Sequence, residues 1–172
     1  MTNALRIYSI QFILLIVAQI VVFNSLQFST LIYIMIYPLF LLLLPFNLGV
    51  IMGMGIGFIF GLLVDYFSNT FGLHASASLL VMYLRPALLK FISPKNGYDP
   101  ILIPSIRDMG YFWFLYYASI VLFIHHFWFF LFEFFSFSNL FWILLKSILS
   151  LFFGLFFMVI WQFLFLRPSK VI

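Results

Sequence analysis

Apolar residues fill this chain in blocks of spanning length, and the polar residues fall in short clusters between them. An α-helix needs about 20 apolar residues to cross the hydrocarbon of a bilayer. The blocks therefore predict helices near 6–24, 30–45, 48–66, 73–92, 111–132 and 139–166. The breaks at 24–30, 45–48, 67–72 and 133–139 are short and impose antiparallel neighbours. The expected fold is an all-α integral membrane protein, a six-transmembrane-helix bundle forming a single domain over 1–172. The second block is short and carries Pro38, which predicts a kink. The fourth opens with the small, polar His74-Ala75-Ser76-Ala77-Ser78 and reaches Arg85-Pro86 after about three turns.

Composition sharpens this picture. Hydrophobic residues make up 66% of the chain and charged residues 7%, more apolar surface than a soluble domain can cover. Cysteine is absent, which removes disulfides and thiolate chemistry together. The net charge of +4 is informative through its location. With the N-terminus inside, six spans put Arg6, Arg85, Lys90, Lys95, Arg107, Arg167 and Lys170 on the cytoplasmic side and leave Lys146 alone outside. A five-span layout would push Arg167 and Lys170 outward, so charge decides for the fourth span. Trp113 and Trp161 fall at inner ends and Trp128 and Trp142 at outer ends, as interfacial belts require. The longest polar segment, 93–110, holds Pro94, Pro100 and Pro104 and is expected to be irregular. No cleavable signal is expected, since the run after Arg6 lacks a small-x-small site at its end.

The third block carries the most specific pattern. Gly49, Gly53, Gly57 and Gly61 recur every fourth residue and lead into Asp65. That spacing lines one helix ridge with small residues and lets a second backbone approach closely. Each step of four overshoots a full turn by about 40°, so the ridge winds and suits a partner crossing at an angle. A carboxylate on such a ridge reads as a polar anchor for another helix or a partner chain. The simpler alternative is an interfacial acid facing headgroups and water.

Other polar residues form two groups. His74, His125, His126, Glu133 and Lys146 gather toward the outer surface. Their types are those of a metal site, but adjacent His125 and His126 diverge around a helix, so interfacial histidines and no metal are expected. Lys146 is expected to snorkel to outer headgroups. Arg85, Lys90, Lys95 and Arg107 form a basic inner group, read as topology determinants at anionic lipid or as a docking site for a cytoplasmic partner. The chain has no nucleophile elbow, H-E-x-x-H or phosphate loop, and no catalytic residues or cofactors are expected.

The stretch Leu44-Pro45, Gly49 to Gly57-Phe58, Gly61, Asp65, Ser68, Gly72 and Tyr83-Leu84 resembles the central signature of the rod shape-determining MreD family. That signature is a Leu-Pro turn, a G-F-x-x-G-x-x-x-D helix, a Ser/Gly loop and a span ending near Tyr-Leu. The resemblance covers Leu44 to Leu84; beyond it, size and hydropathy agree. It implies a non-catalytic inner-membrane subunit of the bacterial elongation machinery. Its expected partners are the single-span MreC, the glycosyltransferase RodA, a class B penicillin-binding protein and, indirectly, the actin-like MreB. It also implies a fold similar to the substrate-binding subunits of energy-coupling-factor transporters. The competing expectation is therefore a small-molecule transporter subunit, with an outward pocket lined by His74, Tyr66, Trp128 and Glu133.

Overall fold

The structure, a computed structural model, describes residues 2–26, 29–135 and 137–166, and for residues 2–8 and 137 the backbone alone. Arg167 and Lys170 lie outside the described residues. The regular elements are all helical: α1 (Thr2–Val17), α2 (Pro38–Leu42), α3 (Val50–Ser68), α4 (Leu73–Phe91), α5 (Ile106–Met109), α6 (Tyr111–Phe134) and α7 (Leu140–Phe165). Helix α1 continues into a wider π-helical stretch, Ala18–Phe23.

Three of these, α3, α6 and α7, are long and apolar enough to cross a membrane. The distribution of side chains agrees with a lipid surround. Ile51, Phe112 and Leu164 are 87%, 86% and 70% exposed, whereas Gln19, His74, Arg85, His125, His126 and Gln162 are buried. Polar groups inside and apolar groups outside are what hydrocarbon solvent selects. Helix α4 is less apolar because it carries Arg85 and Lys90, and it packs between α3 and α6. Helix α7 flanks α6, while α2 touches α1, α4 and α6.

The block at 30–45 departs from expectation. It is not one helix: residues 33–36 have no regular structure, and only Pro38–Leu42 form a short helix. Pro38 starts that helix instead of kinking a longer one, because its fixed φ and missing N–H suit the first helical turn. From Ile34 to Leu44 every residue is buried. Non-helical backbone at such depth survives only where protein satisfies its polar groups.

Side chains from four other elements do so. Gln19 accepts the Ile36 and Tyr37 N–H groups through Oε1 at 2.7 and 3.2 Å and donates Nε2 to the Ile34 carbonyl at 3.1 Å. The Tyr33 N–H donates to Ser150 Oγ of α7 at 3.0 Å. The hydroxyl of Tyr117 in α6 donates to the Leu42 carbonyl at 3.4 Å. From α4, the Arg85 guanidinium donates to the carbonyls of Leu44 and Pro45 and to the Tyr117 hydroxyl. The segment is thus a buried strap held from all sides.

The 93–110 segment is irregular, as expected, apart from α5. Ser105 caps α5 by accepting the Asp108 N–H, and the Ile106 N–H donates to Gln162 Oε1 of α7 at 2.9 Å. Tyr98 stacks on Phe46 with ring centroids 4.1 Å apart, and Trp113 abuts both.

Candidate functional site

The glycine ridge packs inside the molecule, on α4. A Cβ added at Gly61 would lie 2.6 Å from the Ala75 nitrogen and 2.7 Å from the His74 carbonyl carbon. At Gly57 it would meet Met82 Cγ at 2.9 Å and the Ser78 carbonyl oxygen at 3.1 Å; at Gly53, the flexible end of Met82 at 2.8 Å. Gly49 precedes the helix and has nothing within 4 Å. The two backbones converge toward Asp65 and splay toward Gly49, the crossing that a winding ridge imposes.

Asp65 completes this clasp. It is 5% exposed, so the headgroup-facing alternative does not hold. Its carboxylate accepts the His74 N–H at 3.0 Å, the Ala75 N–H at 2.8 Å and the Thr70 hydroxyl at 2.6 Å. The two amides belong to the first turn of α4, whose N–H groups have no partners within the helix. A negative charge there also opposes the positive end of the helix dipole. Gly72, at φ +89°, supplies the left-handed residue that turns the chain into α4. Asp65 fixes the register of α4 on α3.

The outer polar group divides. His74, His125 and His126 are buried, not interfacial. The buried face of α6 is wide, since α4 packs on one side and α7 on the other, so two adjacent residues both fall inside. The Tyr37 hydroxyl, on the buried strap, sits among His125 Nε2 at 2.5 Å, Ser78 Oγ at 3.2 Å and His74 Nδ1 at 3.3 Å. His126 Nδ1 bonds the Leu122 carbonyl at 2.7 Å. His74 Nε2, His125 Nδ1 and His126 Nε2 have no hydrogen-bond partner among the described residues. Among the described residues, no group of three His, Asp or Glu is placed to hold a metal ion.

Glu133 and Lys146 remain near the surface and form an ion pair at 2.8 Å. Lys146 does not snorkel freely: its ammonium lies 4.6 Å above the Phe130 ring and 5.4 Å from that of Phe134. The pair borders a cavity of about 740 Å³ at this end of the bundle, which Asn24, Tyr33, Ser68, Thr70 and Phe129 also line. Tyr33 and Phe129 stack at 5.9 Å, and the His74 ring lies 4.5 Å behind Phe129, so an aromatic floor separates the cavity from the Tyr37 network. Of the residues expected to line an outward pocket, only Glu133 does. Tyr66 is 79% exposed, His74 lies beneath the floor and Trp128 is part-buried elsewhere on α6.

The basic group also divides. Arg85 is 2% exposed and cannot meet lipid or a docking partner; its guanidinium is occupied by the strap. Lys90, Lys95 and Arg107 are exposed at the opposite end from Glu133, and Arg107 donates to the Phe163 carbonyl at 3.0 Å.

No protein-family model, curated protein or solved structure matches this chain.

Sequence reasoning passed over Gln19, Tyr37, Ser150 and Gln162. Two of them carried a readable signal. Gln19 and Gln162 are lone amides in apolar runs, the same anomaly that marked Asp65. Ser147, Ser150 and Gly154 form a second small-residue stripe, and Gly154 brings α7 to the strap at Met35, whose carbonyl oxygen an added Cβ would meet at 3.4 Å.

Proposed function

We propose that this protein is a non-catalytic subunit of the bacterial elongation complex, an MreD-type scaffold in the inner membrane that assembles MreC with peptidoglycan synthases. The observation that supports this reading is the fate of the residues carrying the resemblance. Leu44 and Pro45 are bound by Arg85, Gly53 to Gly61 clasp α4, and Asp65 caps it; Ser68 accepts from Asn24 at 2.8 Å. Arg85 and Asp65 hold backbone and Ser68 ties the end of α3 to Asn24, which suits a rigid assembly platform. Helix α3 turns Ile51, Ile59 and Tyr66 outward, a face on which the single helix of MreC could lie. The six-span layout belongs to the same proposal, with the strap and α2 together making the second crossing and both ends cytoplasmic. RodA, a class B penicillin-binding protein and, through them, MreB complete the expected assembly.

A second reading, a substrate-binding subunit of a vitamin-type transporter, draws support from the polar cavity beside Glu133 and Lys146. The two separate in a gentle-detergent pull-down from native membranes with mass spectrometry of everything retained. MreC together with RodA or its penicillin-binding partner is the expected recovery. ATPase subunits or a bound metabolite in their place would overturn the scaffold reading and favour transport.

A further inference from the structure

The cavity at the Glu133 end has a chemistry of its own that the scaffold reading does not use. Among the described residues its lining carries one carboxylate, Glu133, one ammonium, Lys146, and no other charge. Asn24, Ser29, Thr30, Ser68 and Thr70 add hydroxyl and amide groups, above the Tyr33–Phe129 floor. Its volume of about 740 Å³ falls in the range of small-molecule sites.

The charges decide what fits. Glu133 is 38% exposed and Lys146 14%, and Glu133 Oε2 is the oxygen that holds the Lys146 ammonium among the described residues. An anion approaching Lys146 meets the carboxylate beside it, and a cation approaching Glu133 meets the ammonium. A molecule bearing both charges replaces one ion pair by two and leaves neither side chain bare. Lysine binds phosphate as a point charge, and the hydroxyls of Ser29, Thr30 and Ser68 can donate to its remaining oxygens, whereas that of Thr70 is held by Asp65.

The position of the mouth matters too. Tyr66 and Trp142 are 79% and 49% exposed at this end of the bundle, and such amphipathic aromatic side chains mark the headgroup level of a bilayer. We propose that the cavity binds a zwitterionic phosphate–ammonium group of the phosphoethanolamine kind, its ammonium on Glu133 and its phosphate on Lys146. A membrane phospholipid or a water-soluble phosphodiester could present that group. The inference does not rest on the scaffold reading and survives its failure.

The chain has no cysteine, so a Thr30→Cys variant gives one reactive thiol at the cavity wall. The test follows maleimide labelling of that variant in mild detergent, with phosphatidylethanolamine, phosphatidylglycerol or soluble glycerophosphoethanolamine added. Phosphatidylethanolamine is expected to slow labelling about tenfold, the worth of one charge-assisted contact. Glu133→Gln and Lys146→Met, each in the Thr30→Cys background, are expected to abolish the protection. Protection by the lipid alone assigns the site to the membrane; equal protection by glycerophosphoethanolamine assigns it to a solute. Labelling unchanged by either compound overturns the proposal, and so does equal protection by phosphatidylglycerol. Because the Thr30→Cys chain gives this answer by itself, a poorly folded charge variant does not obscure it.

Discussion

At the scale of single residues, several buried polar side chains of this protein serve backbone. Asp65 and Arg85 are the two clearest cases, and each makes a prediction. Asp65→Ala uncovers the His74 and Ala75 N–H groups in a buried place and should cost about 2 kcal/mol, read as a lower unfolding midpoint in detergent. Asp65→Asn keeps one acceptor oxygen and should lose less. Arg85→Met leaves the Leu44 and Pro45 carbonyls without donors and should cost about 3 kcal/mol by the same measurement. Arg85→Lys should rescue little, since one ammonium cannot reproduce the planar fork that reaches two carbonyls and a tyrosine hydroxyl. Asp65 was legible as an anchor because a carboxylate in an apolar run demands a reason. Arg85 was misread, because an arginine near a span end looks the same in sequence whether it faces headgroups or reaches inward.

Among elements, the α3–α4 pair was the most legible part of the fold and the strap the least. Periodicity exposes a small-residue ridge directly, since four-residue spacing has one geometric meaning on a helix. The ridge makes graded predictions. Gly61→Ala forces Cβ into the α4 backbone and should destabilise by about 1–3 kcal/mol, whereas Gly55→Ala, with open space around it, should change the midpoint little. If both substitutions are silent, the close approach is not a stabilising contact. The strap escaped periodicity because Ile34 to Leu44 is buried on every side, and such a run reads equally as helix or extended chain. Its conformation is chosen by side chains far away in sequence, Gln19 foremost. Gln19→Leu should lower hydrogen-exchange protection of the Ile36 and Tyr37 amides about tenfold while the α6 amides stay protected.

For the whole molecule, helix direction places Ser68, Glu133 and Lys146 at one end and Lys90, Lys95 and Arg107 at the other. The absence of cysteine makes that arrangement measurable without altering the background. Lys95→Cys should label from one side of a sealed vesicle, and Phe71→Cys and Phe135→Cys from the other. A shared side for Lys95→Cys and Phe135→Cys would remove the crossing assigned to α6. The strap carries a last consequence, for how the chain is made. The Tyr33 N–H finds its acceptor in Ser150, 117 positions later, and Leu42 to Pro45 wait for Arg85 and Tyr117. A nascent chain leaves the ribosome with its middle unsealed until α7 enters the bilayer. Shortening the gene ahead of codon 150 should therefore yield a product that membrane quality control degrades entirely, with no stable partial domain left behind.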